Sequence, residues 1–410
     1  MKNLVTAGAG QIDSALRSCW ARHGVMIMHF AVALMAVAAL VWLGYEFWRL
    51  LWQEGYWGAI DLRNHYEVMN GLIAGRPVYS EIRPPATNPP ASYIMFWPFL
   101  GWLSLTAARW LWAATTLAAL GWLVCLIVRE SRADTPLERV FVALMPLSMY
   151  ATGATIGNGQ LIIHILPALV AGLGLLYYGR SGWRNDVLVA LLFLFTLVKP
   201  SVSAPFFWIV FFSARTLQPA AFVVLGYAGL TLFAASFQHS SLLALLGDWL
   251  ANPALGQPGQ ANLRAWMVNL GLEQWSVPAS ILTLAVLGFW TYRHRRVGLW
   301  LLLGVTALVA RMWMYHRWYD DLLILLPMVA LFRIAKAGPS DGSDIIAGAL
   351  LAATMLAMLA PGGLFLFPPP WNTLYSSGQT IIWIVLLIFL LDQARRNKRN
   401  DRLIDSEITS

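Results

Sequence analysis

Charge is scarce in this chain. Asp, Glu, Lys and Arg make up 12% of its 410 residues, about half the share usual in soluble globular proteins. With 59% hydrophobic residues, the chain has too little polar surface to cover a soluble fold. Cysteine is nearly missing as well. Cys19 lies in a basic leader and Cys125 in an apolar run, a usage that excludes a disulfide framework and a cysteine metal site. No cluster of metal-ligating types is visible, so neither a metal nor a cofactor is expected. The period-two alternation of barrel strands is lacking too, which excludes a transmembrane β-barrel. The net charge is +8, yet no continuous basic face accompanies it. Basic residues fall in short clusters between apolar runs: Arg17 and Arg22, Arg180 and Arg184, Arg293 to Arg296, Arg333 and Lys336, Arg395 to Arg402. That is the pattern of cytoplasmic loops and argues against a nucleic-acid partner.

What fills the chain is apolar sequence. Runs lie at 25–50, 107–128, 138–156, 159–178, 187–213, 219–237, 276–292, 297–314, 321–334, 344–361 and 379–391. A crossing needs about 20 such residues, and backbone groups in lipid must be satisfied within the chain. The expected fold is all-α, a polytopic transmembrane helix bundle of about twelve crossings. It divides into a cytoplasmic leader (1–24), a membrane domain (25–394) and a charged cytoplasmic tail (395–410) expected to lack fixed structure. The first apolar run is too long for a signal-peptide core and is read as an uncleaved crossing. If the arginine clusters are cytoplasmic, the loops 53–90, 238–275, 315–320 and 362–378 face outward. Parity then requires the short run 91–103, which contains Pro98 and Gly101, to dip into the membrane without crossing. No internal repeat is evident, which weakens an inverted-repeat transporter.

Ionisable residues beside crossings are expensive and mark function by default. Five places qualify. Asp61, His65 and Tyr66 lie in the first outward loop; on a helix, Asp61 and His65 share a face, as a base beside the membrane or as an ordinary charge pair. Gly75 to Tyr79 and the proline-dense Pro84 to Pro90 read as an extended surface loop. Gly157-Asn158-Gly159-Gln160 makes either a tight turn or an amide cluster for sugar hydroxyls. Lys199-Pro200 interrupts an apolar run, so Lys199 either snorkels or meets an anion in a cavity. Finally Arg311, His316 and Arg317 crowd with aromatics and with Asp320 and Asp321 at an outward turn. All five lie at the outward face, where a basic, aromatic, carboxylate-bearing cavity suits a phosphorylated lipid and a carbohydrate.

In order, these motifs resemble the polytopic GT-C glycosyltransferases, specifically glycosyltransferase family 87, which includes polyprenyl-phosphate-mannose-dependent mannosyltransferases. The resemblance runs through Asp61 to Tyr66, Gly75 to Tyr79, Pro89-Pro90, Gly159-Gln160, Leu197 to Pro200 and His316 to Pro327. Pro84 to Pro90 is richer in proline than the family's Tyr-x-Pro-Pro pattern. Asp61 is followed by Leu62, whereas protein O-mannosyltransferases carry paired acidic residues there, so that subgroup is not assigned. The resemblance implies that Asp61 is the catalytic base and that Lys199 and His316 lie near the donor phosphate.

The implied activity is transfer of a sugar, mannose or similar, from a polyprenyl-phosphate donor to a hydroxyl of a glycan or glycolipid acceptor. It would occur at the outer or periplasmic face of the inner membrane, in contact with membrane lipid. A lipid phosphate leaves as a stable anion, so one carboxylate base suffices, and inversion is the expected outcome. Arg311, Arg317, Lys199 and His316 would stabilise the leaving phosphate, with His65, Tyr66, Asn158 and Gln160 lining the site. A transporter or flippase of lipid-linked sugars would show the same cavity. An O-antigen polymerase or ligase would concentrate its residues in a large late loop, whereas 238–275 holds only Asp248, Arg264 and Glu273 as charges.

Overall fold

The computed structural model describes the backbone of residues 2–55, 57–82, 86–180, 182–213, 216–251, 262–337, 342–359, 364 and 367–409, with side chains between 17 and 397 except Cys19. Pro84 and Pro85 of the proline-rich segment, residues 252–261 of the late loop and 360–363 lie outside it.

The described residues form helices joined by turns. The first half comprises α1 (Lys2–Leu51), α2 (Ile60–Ile73), α3 (Pro90–Leu100), α4 (Leu105–Glu130), α5 (Pro136–Ser148), α6 (Tyr150–Asn158), α7 (Ile162–Tyr178), α8 (Trp183–Thr196) and α9 (Pro200–Ser203). The second comprises α10 (Phe207–Ser213), α11 (Gln218–Ala235), α12 (Leu242–Leu250), α13 (Leu263–Asn269), α14 (Ser276–Arg293), α15 (Leu299–Met312), α16 (Leu325–Lys336), α17 (Ser343–Leu359) and α18 (Trp371–Thr409). α1 packs on α5 and α6, α7 on α4 and α8, and α15 on α16 and α18. Between them lies a core of Leu, Ile, Val and Met that is almost wholly buried.

Five helical segments are long and apolar enough to cross a membrane: Trp20–Leu51, Leu105–Glu130, Gln218–Ala235, Glu273–Arg293 and Trp371–Asn397. A sixth arises if α5 and α6, bent by 46° where they meet, form one broken span. The count of about twelve is not reached on helix length, because breaks divide the apolar runs. The run 138–156 breaks at Met149, whose backbone is extended (φ −67, ψ 132). The run 187–213 breaks at Lys199, also non-helical (φ −130, ψ 82). A residue before proline is pushed out of the α region by the proline ring, and Pro200 then opens α9. Ile162–Tyr178, Leu299–Met312 and Ser343–Leu359 are apolar but shorter. The run 91–103, expected to dip without crossing, contributes α3, whose 11 residues reach roughly 16 Å, about half the hydrocarbon thickness.

The tail differs from expectation. Instead of lacking structure, its backbone continues α18 to Thr409. A same-face contact helps that continuation: Arg396 Nε meets Asp392 at 2.7 Å, four residues apart.

Two buried devices hold the end of the bundle where α1 finishes. Arg109, in the first turns of α4, donates Nε to the Leu50 carbonyl at 2.6 Å and Nη2 to the Gln53 carbonyl at 3.0 Å. It thereby satisfies carbonyls that the end of α1 would otherwise leave unpaired. The proline-rich loop is tied down by tyrosines. Tyr79 donates its hydroxyl to the Asn88 carbonyl at 2.9 Å. The Tyr93 oxygen accepts the Thr87 and Asn88 amides at 3.1 Å each. Prolines leave few backbone donors, and side chains supply the missing partners.

Candidate active site

Four segments far apart in sequence meet at this end of the bundle. The first is the start of α2. Ala59 sits in the left-handed region (φ 54), and its amide donates to the Gly157 carbonyl at 3.1 Å. This fastens the first turn of α2, and Asp61 with it, to the end of α6.

The second segment is the turn after α6. Gly159 closes the helix with φ +72, and a Cβ there would lie 2.5 Å from the Leu62 Cβ. Only glycine meets both demands, the positive φ and the close approach of α2. The turn delivers Gln160, 5% exposed, to the Asp61 carboxyl, which it hydrogen-bonds.

The third is the break before α9. Lys199 points its ammonium at Asp320 Oδ1, 2.6 Å away, and at Gln160 Oε1, 3.3 Å away. It also lies 4.8 Å from the centre of the Tyr319 ring. Lys199 is 8% exposed and Asp320 2%.

The fourth is the turn after α15, which leads into a 3₁₀ helix, Trp318–Ile324. Asp320 Oδ2 accepts from the Arg317 amide at 3.2 Å and from His316 Nδ1 at 3.1 Å. That second bond places the His316 proton on Nδ1 and leaves Nε2 as a bare acceptor. Nε2 is buried with no hydrogen-bond partner. Arg317 is exposed, and its guanidinium contacts the Tyr315 hydroxyl.

Electrostatics separate the two carboxylates. Burial raises Asp61 above the usual carboxylate range, although the Gln160 hydrogen bond and the Lys199 and Arg317 charges oppose it. Burial would raise Asp320 too, but the Lys199 ammonium and then His316 outweigh it and hold that carboxyl low. Burial also lowers the His316 pKa against the pull of Asp320, so the imidazole stays neutral. Two nearby acids pushed in opposite directions are suited to different roles. Asp61, half-buried, can take up a proton; Asp320 stays ionised and fixes its neighbours.

The structure sorts the residues singled out in the sequence. Asp61, Gln160, Lys199, His316 and Arg317 come together. His65 lies one turn beyond Asp61 but does not pair with it; it stacks on Phe96, with ring centres 5.6 Å apart. Burial lowers its pKa to about 4, so it packs as a neutral ring. Tyr66 donates to the Leu103 carbonyl at 2.6 Å and ties α2 to the turn after α3. Asn158 accepts from Arg49 Nη2 at 2.6 Å, and Arg49 pairs with Glu46 at 2.7 Å.

Arg311 belongs to a different network. It pairs with Asp321, which also accepts from the Tyr150 hydroxyl, and its guanidinium lies 4.8 Å from the Trp383 ring centre. Arg311 and Asp321 are both fully buried, so this pair joins α15, α6 and α18 rather than facing a ligand. Asp320 stands out in the sequence only as one of two aspartates crowding this turn, with no partner assigned to it. Its four-residue separation from His316 was available as a signal, but the segment reads as loop, where that spacing carries no expectation. Among the described residues, no group of three or more His, Cys, Asp or Glu is arranged to hold a metal ion. Comparison of the chain with protein-family models, with curated proteins and with solved structures gave no match.

Proposed function

We propose that the chain is a membrane glycosyltransferase that moves a sugar from a polyprenyl-phosphate donor to an acceptor hydroxyl. The observation that carries this reading is the convergence of Asp61, Gln160, Lys199 and Arg317 where α1 ends and α4 begins. A raised, half-buried carboxylate beside fixed cations is what such a transfer requires. Asp61 takes the proton from the acceptor hydroxyl as the hydroxyl oxygen attacks the anomeric carbon. The bond from that carbon to the phosphate oxygen breaks, and its electron pair leaves with the lipid phosphate. Arg317 and Lys199 stabilise the growing phosphate charge; positioned cations of this kind act mainly on the transition state. Asp320 is 2% exposed and held by Lys199 and His316, so it is not placed to attack the sugar. Inversion follows from a single displacement. In this reading the shorter apolar helices complete a GT-C-like bundle, and the site opens on the outer or periplasmic face of the inner membrane, where it takes a glycan or glycolipid acceptor.

The test is a donor screen with the purified protein and several polyprenyl-phosphate sugars, mannose among them. Asp61→Asn keeps shape and hydrogen-bonding capacity but cannot take the proton, so turnover should fall roughly 10²–10⁴-fold while donor still binds. Glu54, an exposed carboxylate seven residues before Asp61, is the rival base: wild-type turnover in Asp61→Asn, with loss in Glu54→Gln, would move the role to it. Donor binding with no transfer from any donor would favour a transporter of lipid-linked sugars.

A further inference from the structure

Far from Asp61, the last turns of α4 separate two cavities. The first, about 490 Å³, is a mainly apolar trough between α4, α7 and α8, lined by Trp122, Leu126, Gly174 and Leu188 and bordered by Arg129. The second, about 610 Å³, is lined by Cys125, Arg129, Arg132 and Arg139 among others. Arg129 borders both. Along α4, Arg129 is roughly 30 Å from Arg109 at the rise of an α-helix, so the cavities lie at the opposite end from the candidate active site. Trp122 and Leu188 are 42% and 47% exposed, so the trough opens onto the outer face of apolar helices.

The charges at this end are sorted. Asp134 and Glu138 both pair with Lys336, at 3.0 and 2.8 Å. Arg129, whose side chain is 73% exposed, meets Glu130 at 3.1 Å. Arg139 donates Nε to the Ala133 carbonyl, and Arg333 donates to the Glu130 carbonyl. Among the described residues, no carboxylate lies within ion-pair distance of Arg132 or Arg139. Arg132 also holds a positive φ of 64. That conformation costs a side-chain-bearing residue about 1–2 kcal/mol, and glycine or asparagine would hold it more readily.

We propose that this junction binds an anionic glycerophospholipid. The headgroup phosphate contacts Arg129, Arg132 and Arg139, and one acyl chain lies in the trough. A mainly apolar trough that ends at Arg129 and Glu130, with Arg132 and Arg139 lining the cavity on the other side of Arg129, matches an amphiphile of that polarity. A soluble phosphate would leave the apolar part unused.

The purified full-length protein can be titrated with dioleoyl-phosphatidylglycerol and, separately, dioleoyl-phosphatidylcholine, and bound lipid counted by native mass spectrometry. Phosphatidylglycerol should bind saturably and about tenfold or more tighter, since each arginine near an anionic headgroup contributes about fivefold. The triple variant Arg129→Gln, Arg132→Gln, Arg139→Gln should lose roughly a hundredfold, and the corresponding triple Lys variant should retain most of the binding. Gly174 has open space where a Cβ would go, so Gly174→Leu should fill the trough. It should weaken the dioleoyl lipid while sparing dihexanoyl-phosphatidylglycerol. Equal binding of the two headgroups, or an unchanged triple Gln variant, overturns the proposal. Unchanged dioleoyl binding in Gly174→Leu overturns the acyl-chain assignment. Sugar transfer does not enter the measurement, so the result stands apart from the proposed reaction.

Discussion

Asp320→Asn isolates what the pair beneath the site contributes. The substitution preserves shape and still accepts the Arg317 amide, but it removes the charge that Lys199 meets at 2.6 Å. Lys199 is 8% exposed, so its ammonium is left with little water and no counter-charge in contact. Removing one member of a buried pair costs about 3–5 kcal/mol, mostly because the other ion is stranded. Against net stabilities of about 5–15 kcal/mol, the variant should unfold at a clearly lower temperature in a fixed detergent. Asp320→Asn with Lys199→Met removes both charges and should recover most of the lost stability, a non-additivity expected of groups in contact. The same variant alters Asp61. The negative charge of Asp320 raises the Asp61 pKa and Lys199 lowers it, so deleting Asp320 removes a raising influence. A base acts when deprotonated; the acidic limb of the pH–rate profile should therefore move to lower pH in whatever activity remains. Asp320→Asn as stable as wild type, or a double variant no better than the single, would refute this account.

Asp61→Asn should raise thermal stability at neutral pH even as it lowers turnover. A carboxyl whose folded pKa lies above its unfolded value contributes stability at low pH that is lost as pH rises through the folded value, and the neutral amide avoids that loss; an unchanged or lower melting temperature counts against a desolvated Asp61. Lys199→Arg should keep part of the transfer activity and Lys199→Met little, since a lysine meets phosphate as a point charge; equal activity in all three proteins would return Lys199 to a purely structural role. Gly159→Ala should cost about 1–3 kcal/mol, because Cβ would meet Leu62 at 2.5 Å in a positive-φ backbone; normal melting and normal turnover together would show that α2 is not held by this turn.

Much of the site was legible because its residues break the apolar pattern. Lys199 stands out because a cation before proline interrupts a hydrophobic run, and Gly159-Gln160 because glycine and amide fall between two such runs. Pairwise assignment was not legible. Arg311 and Arg317 flank the same turn, and nothing local says that one is sealed against Asp321 while the other stays exposed. That outcome depends on α6 and α18, which supply Tyr150 and Trp383 from far away in sequence. The helix breaks divide the same way. Pro200 announces the break at Lys199, whereas the one at Met149 has no proline immediately after it; there the Thr152 hydroxyl, across the break, donates to the Pro146 carbonyl. Run length therefore does not translate into an equal number of long helices: among the described residues five segments, or six with the bent pair, are long enough to cross.

Asp320 and Asp321 are neighbours in the chain but serve two separate ion pairs, one to Lys199 and one to Arg311. They can do so because a 3₁₀ helix turns about 120° per residue, which sends adjacent side chains to different sides. The arrangement makes the length of the segment before them as constrained as its composition. Deleting one residue between Trp313 and Tyr319 would rotate the register by one step, turning each carboxylate from its cation and unmatching two buried pairs at once. Insertions, usually harmless in a surface turn, should be selected against here as strongly as loss of either aspartate.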